Sequence, residues 1–307
     1  MHVLVTGAGG FIGRSVVQKA RLRGWKVTGV ARRQSNEAGL IADLRYPIND
    51  WEAPDAVIHL AGSYAGCRAR EFANTDLVIA RNLLKWGMKK KVRRWVFASA
   101  AEVYGDIDGE ATEGYPCHPV IPYGESKLQI EGILQTAGFP EVMICRLGEV
   151  YGSAGRILHE LGGKMRRGFC PWAGDGEVKI SFLHVEDAAE ALILACESAK
   201  PGFNIYNVGD DEPATWRQFL DEIAELLSVR RPYYLPKPAA YAYASCISWL
   251  DRFFGRPANI TPQVLRLLIT PKVMSSIRLR DELGFVPRYT NIHLGLKEAI
   301  PSSMQPV

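Results

Sequence analysis

The sequence predicts an α/β fold in which helices cover both faces of a parallel sheet. Short runs rich in Val, Ile and Leu alternate with helix-period runs through the first two thirds of the chain. These runs are almost continuously apolar, as expected of strands buried on both faces. The composition is that of a globular protein, because 47% of the 307 residues are hydrophobic and 23% are charged. A disordered chain, a collagen-like repeat and a small disulfide-bonded domain are therefore excluded.

The order of the elements suggests two interleaved domains. Strands are predicted at 2–5, 26–31, 56–60, 94–98 and 142–146, and helices at 12–23, 74–86 and 123–136. After about residue 150 helices dominate, at 187–197 and 216–227, with Thr215 as a candidate N-cap. Two further β-like runs, 179–183 and 203–208, could join the first sheet. We therefore expect residues 1–152 and 179–208 to form a doubly wound sheet domain, and residues 153–178 and 209–307 a smaller, mainly helical domain.

Charge and cysteine content exclude several classes of function. Thirty-seven Lys and Arg against thirty-three Asp and Glu leave a formal charge of +4, too small an excess for a nucleic-acid-binding protein. The basic run at 89–94 lies between a helix and a strand and is interpreted as a solvated turn, with nucleic acid or an anionic membrane as the alternatives. Six scattered cysteines without a CxxC pair indicate reduced thiols. No targeting segment is recognised, and the apolar stretch 238–250 is too short to span a bilayer, so we expect a cytoplasmic protein.

A glycine-rich turn at 6–13 predicts a dinucleotide site. Gly7, Gly10 and Gly13 are spaced GxxGxxG between the first strand and the first helix. Glycine is required where the chain turns sharply and where backbone approaches a pyrophosphate. Phe11 and Ile12 stand where the turn meets the predicted helix, whose free N–H groups and positive dipole end suit phosphate.

The end of the second predicted strand indicates which cofactor is bound. Arg32 and Arg33 stand where an NAD site usually has an acidic residue for the ribose 2′-hydroxyl. A guanidinium can instead pair with the 2′-phosphate of NADP, so NADP is favoured, with NAD as the alternative and ordinary surface arginines as the simpler interpretation. Asp43 and Leu44, just beyond, could meet the adenine ring.

A Tyr–Lys pair supplies candidate acid–base chemistry. Tyr123 and Lys127 are four residues apart in a predicted helix and therefore share one face. A free phenol has a pKa of about 10. A neighbouring ammonium, together with a positive nicotinamide ring, is expected to favour the phenolate, which could then exchange a proton with a carbinol. The YxxxK spacing alone also occurs on ordinary helices.

Together these motifs resemble the extended short-chain dehydrogenase/reductase superfamily, and in particular its NAD-dependent epimerase/dehydratase group. The resemblance covers nearly the whole chain, through TGAGGFIG (6–13), HLAG (59–62), FASAAEVYG (97–105), YGESK (123–127), RLGEVYG (146–152), SFLHVEDAAEA (181–191) and YNVGD (206–210). It implies a Rossmann domain that binds NAD(P), a C-terminal domain that closes on a small-molecule substrate, and a homodimer formed through two long helices. It also implies that Tyr123 and Lys127 are the acid–base pair, that Asn82 steadies a helix behind the cofactor, and that the cofactor contacts include Leu60, Ala61, Gly62, Ala98 and Val150.

Two positions depart from the family pattern. The hydroxyl that the family places four residues before the Tyr of the VYG motif is replaced by Ala100, so we expect the neighbouring Ser99 to substitute through a bend at the strand end. Loss of such a donor can cost a factor on the order of 10²–10³ in rate. Glu102 stands where dehydratases of the family carry a proton-transferring Glu, although a stabilising carboxylate is the simpler interpretation. Ala100, Glu102, Tyr123 and Glu149 are the candidate substrate contacts.

The substrate class stays open between three hypotheses. Nucleotide-sugar members commonly show Arg-Pro-Gly-Asp before the final LGW-P motif, whereas this chain has 269–274 as ITPKVM before DELGFVP at 281–287. The apolar segment 238–250 and the FFGRP at 253–257 also differ from the nucleotide-sugar pattern. Together these differences favour an NADP(H)-dependent reductase or dehydrogenase similar to 3β-hydroxysteroid dehydrogenases or ketone reductases. The simpler interpretation is that these aromatic residues only pack one helix against another. The second hypothesis is a nucleotide-sugar epimerase or dehydratase with tightly bound NAD. The third, suggested by Ala100, is a non-catalytic cofactor-binding regulator.

Overall fold

A computed structural model describes residues 1–48, 50–63, 72–210, 212–254 and 262–300. The strands are β1 (His2–Thr6), β2 (Lys26–Ala31), β3 (Leu40–Ile41), β4 (Ala56–His59), β5 (Arg94–Ala100), β6 (Glu141–Leu147), β7 (Glu149–Tyr151), β8 (Pro171–Ala173), β9 (Lys179–Ile180), β10 (Phe182–His184), β11 (Gly202–Val208), β12 (Ala214–Thr215) and β13 (Tyr233–Leu235). The helices are α1 (Phe11–Leu22), α2 (Leu77–Lys89), α3 (Pro122–Thr136), α4 (Arg156–Arg166), α5 (Val185–Glu197), α6 (Trp216–Leu226), α7 (Lys237–Phe253), α8 (Pro262–Ile269), α9 (Ile277–Leu283) and α10 (Ile292–Ala299).

The main sheet has seven parallel strands in the order β11-β6-β5-β4-β1-β2-β3. From β1 the chain runs first towards one edge, through β2 and β3, and then crosses to β4 on the other side of β1. The strand order therefore reverses between β1 and β4. In open α/β sheets ligands bind at the carboxyl ends of the strands beside such a reversal. The glycine turn follows β1 and the HLAG segment follows β4, so both lie at this point.

Two apolar layers enclose the sheet, which confirms the predicted fold class. Helices α1 and α5 cover one face, where Val3, Val5 and Val96 point into their cluster. Helices α2 and α3 cover the opposite face, where Trp95 and Phe97 point into a second apolar cluster. Odd and even positions of β5 thus point to opposite layers, as the alternation of side chains along a strand requires.

A second core lies around α4, α6 and α10. Its large buried side chains include Tyr151, Phe182, Trp216 and Phe219, and the rings of Phe182 and Phe219 stack with centroids 4.3 Å apart. The predicted run 179–183 is divided here into β9 and β10, which pair with β12 and β7 and do not join the main sheet. Only the run at 203–208 joins it, as the edge strand β11 beside β6. Thr215 is the N-cap of α6 and forms a complete capping box, in which Gln218 is the reciprocal partner.

The basic run at 89–94 is partly structural. Arg93 and Arg94 donate to the two carboxylate oxygens of Glu141 at 2.7 and 2.6 Å and so tie β5 to β6. Lys91 turns the chain between α2 and β5 with a positive φ of 55°. Of the predicted cysteine thiols, those of Cys145, Cys170 and Cys196 are buried, and Cys67 lies outside the described residues. Within the described part of the chain, no helix combines the length and hydropathy needed to cross a bilayer.

Candidate active site

The glycine turn forms a cradle for phosphate at the switch point of the sheet. Gly7 has a φ of +71°, and a Cβ there would come within 2.9 Å of the backbone nitrogen of Ala61. A Cβ on Gly13 would lie 2.1 Å from the carbonyl oxygen of Gly7, so α1 packs against the turn only because no side chain intervenes. No side chain caps α1 at Gly10, which leaves the first N–H groups of the helix available to an anion.

One cavity of about 1020 Å³ runs from this turn into the second core. Its inner half brings together most of the cofactor and substrate positions that the sequence predicts. They are Gly7, Gly10, Phe11, Ile12, Gly13, Leu60, Gly62, Ala98, Ala100, Glu102, Tyr123, Lys127, Glu149 and Val150.

Thr6 fixes the loop after β4, and sequence reasoning missed it. Its hydroxyl oxygen accepts from the backbone N–H groups of Leu60 and Ala61 at 3.2 and 3.1 Å. It also lies 2.8 Å from Nδ1 of His59. Burial, assisted by the charge of Lys127, lowers the pKa of His59 to about 3, so the ring stays neutral. The loop after β4 is therefore held by a buried network of uncharged groups.

A buried carboxylate lies behind the same loop. Asp76 is 2% exposed, and its Oδ1 accepts from both the backbone N–H and the hydroxyl of Ser63, each at 2.8 Å. Its Oδ2 has no hydrogen-bond partner within the described residues, and a Cβ on Gly62 would lie 3.3 Å from it. Burial raises the pKa of Asp76, while the charge of Lys127 opposes that rise. The predicted helix at 74–86 begins later than expected, because residues 72–76 form a π-helical turn that positions this carboxylate.

Tyr123 and Lys127 share one face of α3 and point into the cavity. Lys127 is 7% exposed, its Nζ donates to the carbonyl oxygen of Ala98 at 2.9 Å, and it lies 5.6 Å from the centroid of the Tyr123 ring. Burial lowers the pKa of Lys127, against the charges of nearby carboxylates. Burial, together with the carboxylates of Glu102, Asp76 and Glu149, raises the pKa of Tyr123. The direction is opposite to the one expected from the neighbouring ammonium alone, because burial and the three carboxylates disfavour the phenolate.

Ser99 does not replace the hydroxyl missing at Ala100. Its Oγ donates to Oε1 of Glu131 at 2.5 Å in a buried cluster on the α3 side of the sheet. Arg146 holds the same carboxylate, with Nη2 2.6 Å from Oε2. Ser99 lines the cavity, but its hydroxyl is committed to this structural network, which does not favour the predicted catalytic role. The bend expected at Ser99 does not occur, because β5 continues through Ala100.

Glu102 and Glu149 share a cation that the sequence did not suggest. Lys272 Nζ donates to Glu102 Oε1 and to Glu149 Oε2, each at 2.8 Å, and its side chain is 2% exposed. Burial opposes the charged form of Lys272, but the two carboxylates outweigh it and raise its pKa. Three segments distant in sequence meet here, so no local pattern could have indicated the contact.

The predicted adenosine-side residues lie outside the cavity wall. Arg32 and Arg33 follow β2 and are exposed. The hydrogen bond from Arg45 is the main cause that lowers the pKa of Asp43, and the charge of Arg32 adds a smaller effect in the same direction. The backbone carbonyl of Leu44 accepts from Asn82 Nδ2 at 3.0 Å, so Asn82 ties α2 to this loop. Near these arginines, the buried hydroxyl of Ser35 has no hydrogen-bond partner in the described structure, and a Cβ on Gly9 would lie 2.9 Å from it.

The outer half of the cavity is mainly apolar. It is lined by helices α4, α7 and α8 and the segments between them, and the residues there are Ile157, Leu161, Phe169, Pro171, Trp172, Ala173, Trp216, Leu235, Ala240, Tyr243, Leu265 and Leu268. Arg156, Lys164 and Arg167 of the α4 region add positive charge. The apolar segment at 238–250 therefore contributes to the cavity wall. Phe253 and Phe254 are exposed, and residues 255–257 lie outside the described chain.

These features fit a nicotinamide dinucleotide: a glycine cradle at a helix N-terminus and a buried Tyr–Lys pair line the same cleft. Residues 3–209 match the NAD dependent epimerase/dehydratase family, and the chain belongs to it. It is an NAD(P)-dependent enzyme of the extended short-chain dehydrogenase/reductase type, and solved structures of this fold hold NAD or NADPH.

Individual relatives have different activities. The chain is 30% identical to the dTDP-glucose 4,6-dehydratase of Haemophilus influenzae, over 76% of this chain and 81% of that one. It is 22% identical to a 4-hydroxy-2-methyl-3-oxo-4-farnesyl-3,4-dihydroquinoline-1-oxide ketoreductase of Stigmatella aurantiaca, over 95% and 93%. The structure of MoeE5 with UDP-glucose and NAD superposes with a TM-score of 0.78 at 25% identity, covering 98% of this chain and 97% of that one.

Proposed function

We propose that the protein catalyses NADPH-dependent reduction of a ketone to a secondary alcohol, with Tyr123 as the proton donor. The observation that supports this most directly is the placement of Tyr123: it lines the cavity beside Lys127, whose Nζ lies 5.6 Å from the centroid of the Tyr123 ring. A protonated phenol in this place can donate its proton to an oxygen that gains negative charge.

The chain's own residues divide the work along the cavity. The turn at Gly7–Gly13 and the start of α1 would bind the pyrophosphate, and Lys127 would bind the nicotinamide ribose with the N–H groups that Ala98 does not use. When bound, the nicotinamide supplies the hydride. Tyr123 then gives its proton to the substrate oxygen. The apolar outer wall excludes water from the reacting carbon.

NADP rather than NAD is part of this proposal. Arg32 and Arg33 are exposed at the end of β2, where the adenine-side ribose of a bound cofactor would lie. The unpartnered hydroxyl of Ser35 adds a donor at the same place. Two guanidinium groups and a hydroxyl form a suitable environment for a 2′-phosphate.

Tyr123→Phe tests the assignment. We expect it to abolish NADPH oxidation against a panel of ketones, sterols and nucleotide sugars, measured as absorbance change, because phenylalanine has no proton to give. NADPH affinity, measured by fluorescence titration, should stay nearly the same. Full activity of the variant would refute Tyr123 as the acid.

A nucleotide-sugar epimerase or dehydratase is the second candidate. The 30% identical dehydratase favours it, as does the position of Glu102 in the cavity wall beside the Tyr123 region. Such an enzyme oxidises and re-reduces the same sugar and therefore retains NAD. Denaturing the purified protein and identifying the released cofactor separates the two: stoichiometric NAD favours this candidate, and exchangeable NADPH favours the reductase.

We further propose that the enzyme works in the cytoplasm as a homodimer, with the exposed sides of α2 and α3 as the contact. Light scattering of the purified protein measures the oligomeric state, and a monomer would exclude the dimer.

A further inference from the structure

Glu102, Lys272 and Glu149 form a charged clamp on the substrate side of Tyr123. Glu102 lies in the turn directly after β5, Glu149 begins β7, and Lys272 follows α8. Both glutamates line the cavity, whereas Lys272 is buried and is not part of the cavity wall. The ammonium therefore holds the carboxylates from behind.

The clamp is rigid because the backbone fixes each member. Lys272 N–H donates to the carbonyl of Lys179 at 3.1 Å, and its own carbonyl accepts from Ser181 N–H at 2.8 Å. Glu149 N–H donates to the carbonyl of Ser181 at 2.9 Å. The backbone carbonyl of Glu102 packs on Gly124, where a Cβ would lie 2.3 Å from it, so the turn is positioned against the residue next to Tyr123.

The clamp presents hydrogen-bond acceptors to the substrate. Lys272 binds one oxygen of each carboxylate, Glu102 Oε1 and Glu149 Oε2. Both glutamates line the cavity, so the second oxygen of each is available to a ligand. Two carboxylates and one ammonium carry one net negative charge. A hydrocarbon placed here would desolvate these oxygens without replacing their hydrogen bonds, which is unfavourable, and an anion would be repelled.

We propose that Lys272 is a positioning residue that fixes Glu102 and Glu149 as acceptors, so that the site selects substrates bearing a hydrogen-bond donor, hydroxyl or ammonium, next to the reacting carbon. This rests on the proposed function, since it takes Tyr123 as the place of the reacting oxygen. The selection is local, because the outer cavity wall is mainly apolar and leaves the rest of the substrate free to be hydrophobic.

Matched ring alcohols test the selection in the protein saturated with NADPH. Dissociation constants of cyclohexanol, cis-1,2-cyclohexanediol and trans-2-aminocyclohexanol are measured by ligand-observed NMR. Because a hydrogen bond to a charged acceptor is strong, at least one donor-bearing ring should bind about tenfold or more tighter than cyclohexanol. A preference for the diol alone or the amino alcohol alone also supports the proposal and identifies the donor. Equal affinity of all three would overturn it.

The double variant E149Q/K272M tests the clamp at constant charge. It keeps the net charge at minus one but removes both the ammonium that holds Glu102 and the carboxylate of Glu149, so the donor preference should fall to threefold or less. Lys272→Arg should preserve the preference, because a guanidinium can hold both carboxylates. An unchanged preference in E149Q/K272M, with unaltered NADPH affinity as proof of folding, would overturn the role of Lys272.

The Tyr123→Phe variant distinguishes this inference from the proposed function. Ligand binding needs no hydride transfer, so the donor preference should survive in Tyr123→Phe while turnover is lost. If the proposed function fails, turnover survives in that variant whatever the preference. If the inference fails, the preference is absent although Tyr123→Phe is inactive.

Discussion

Ser99 lines the cavity, and its hydroxyl donates a hydrogen bond of 2.5 Å to the buried carboxylate of Glu131. Arg146 grips the same carboxylate, with Nε 3.1 Å from Oε1 and Nη2 2.6 Å from Oε2. The three side chains come from β5, α3 and β6, so the network joins α3, the helix that carries Tyr123 and Lys127, to the sheet. The hydroxyl of Ser99 thus contributes to the scaffold.

Ser99→Ala should therefore reduce stability and leave catalysis nearly unchanged. The loss of one buried hydrogen bond to a charged group is expected to cost about 1–3 kcal/mol in the free energy of unfolding, measured by urea denaturation. Because Glu131 keeps both contacts with Arg146, α3 should stay in place and kcat/KM should change less than about threefold. A large fall in kcat at unchanged stability would restore Ser99 as a catalytic residue.

Ala100→Ser should be tolerated and should speed the reduction. Ala100 lines the cavity at the end of β5, where an added hydroxyl could donate to the substrate oxygen alongside Tyr123. Donors of this kind can contribute factors on the order of 10²–10³, so even an imperfect one should raise kcat. Ala101→Ser is the control, since Ala101 is buried in an apolar cluster and should only lose stability. Loss of substrate binding in Ala100→Ser would show that the substrate occupies this space.

Arg32→Asp should weaken NADPH binding far more than NADH binding. The substitution removes a positive charge from the end of β2 and places a carboxylate beside the expected 2′-phosphate, which NADH lacks. Fluorescence titration with both cofactors measures the ratio of affinities, and added salt should reduce the preference for NADPH in the unmodified protein. Arg230→Asp makes the same charge change at an exposed site beyond α6 and should leave the ratio unchanged. Equal weakening of both cofactors by Arg32→Asp would exclude the 2′-phosphate contact.

The sheet and its cofactor turn were predictable because their signals are local. Apolar runs of strand length mark β1, β2, β4, β5 and β6, and the glycine spacing is dictated by backbone that must approach Ala61 and Gly7 within contact distance. The final DELGF motif is also local: Glu282 and Phe285 anchor α9, and Gly284 ends it with a φ of +68°.

The clamp and the hydrogen bond between Ser99 and Glu131 were not predictable, because both depend on which distant segments of the chain meet. Lys272 is 123 residues beyond Glu149 in the chain, as its contact shows, and no periodicity joins them. The direction of the pKa shift of Tyr123 was not predictable for the same reason: the neighbouring ammonium is visible in the sequence, but the three carboxylates that raise this pKa come from separate elements. Short strands such as β9 and β10 carry too few residues to show which sheet they join.

The pH dependence of the two directions should differ. Burial and the carboxylates of Glu102, Asp76 and Glu149 raise the pKa of Tyr123, so the phenol is present through the neutral range. Reduction needs that form and should stay flat with pH, whereas oxidation of the alcohol needs the phenolate and should rise about tenfold per pH unit between about pH 7 and pH 10. Asp76→Asn removes one of the three carboxylates and should move the oxidation profile to lower pH. Oxidation that is independent of pH would contradict the protonated phenol.

Glu282 should make the stability of the fold sensitive to acid. It accepts from Lys200, from the Tyr206 hydroxyl at 2.9 Å and from Arg278 at 3.1 Å, and these hydrogen bonds, led by that of Lys200, lower the pKa of Glu282 to about 2. A carboxyl whose pKa is lower in the folded than in the unfolded chain stabilises the fold above the unfolded value, about 4.3 for Glu, and this contribution disappears as the pH falls towards the folded value. Glu282→Gln should therefore lower the unfolding temperature at neutral pH, and the difference from the unmodified protein should shrink between about pH 4 and pH 2.

Glu177→Gln, at a more exposed ion pair with Arg217, is the matched control and should show a smaller difference at every pH. A difference for Glu282→Gln that stays constant down to about pH 2 would mean that its contacts stabilise the fold by hydrogen bonding alone, without a change in protonation.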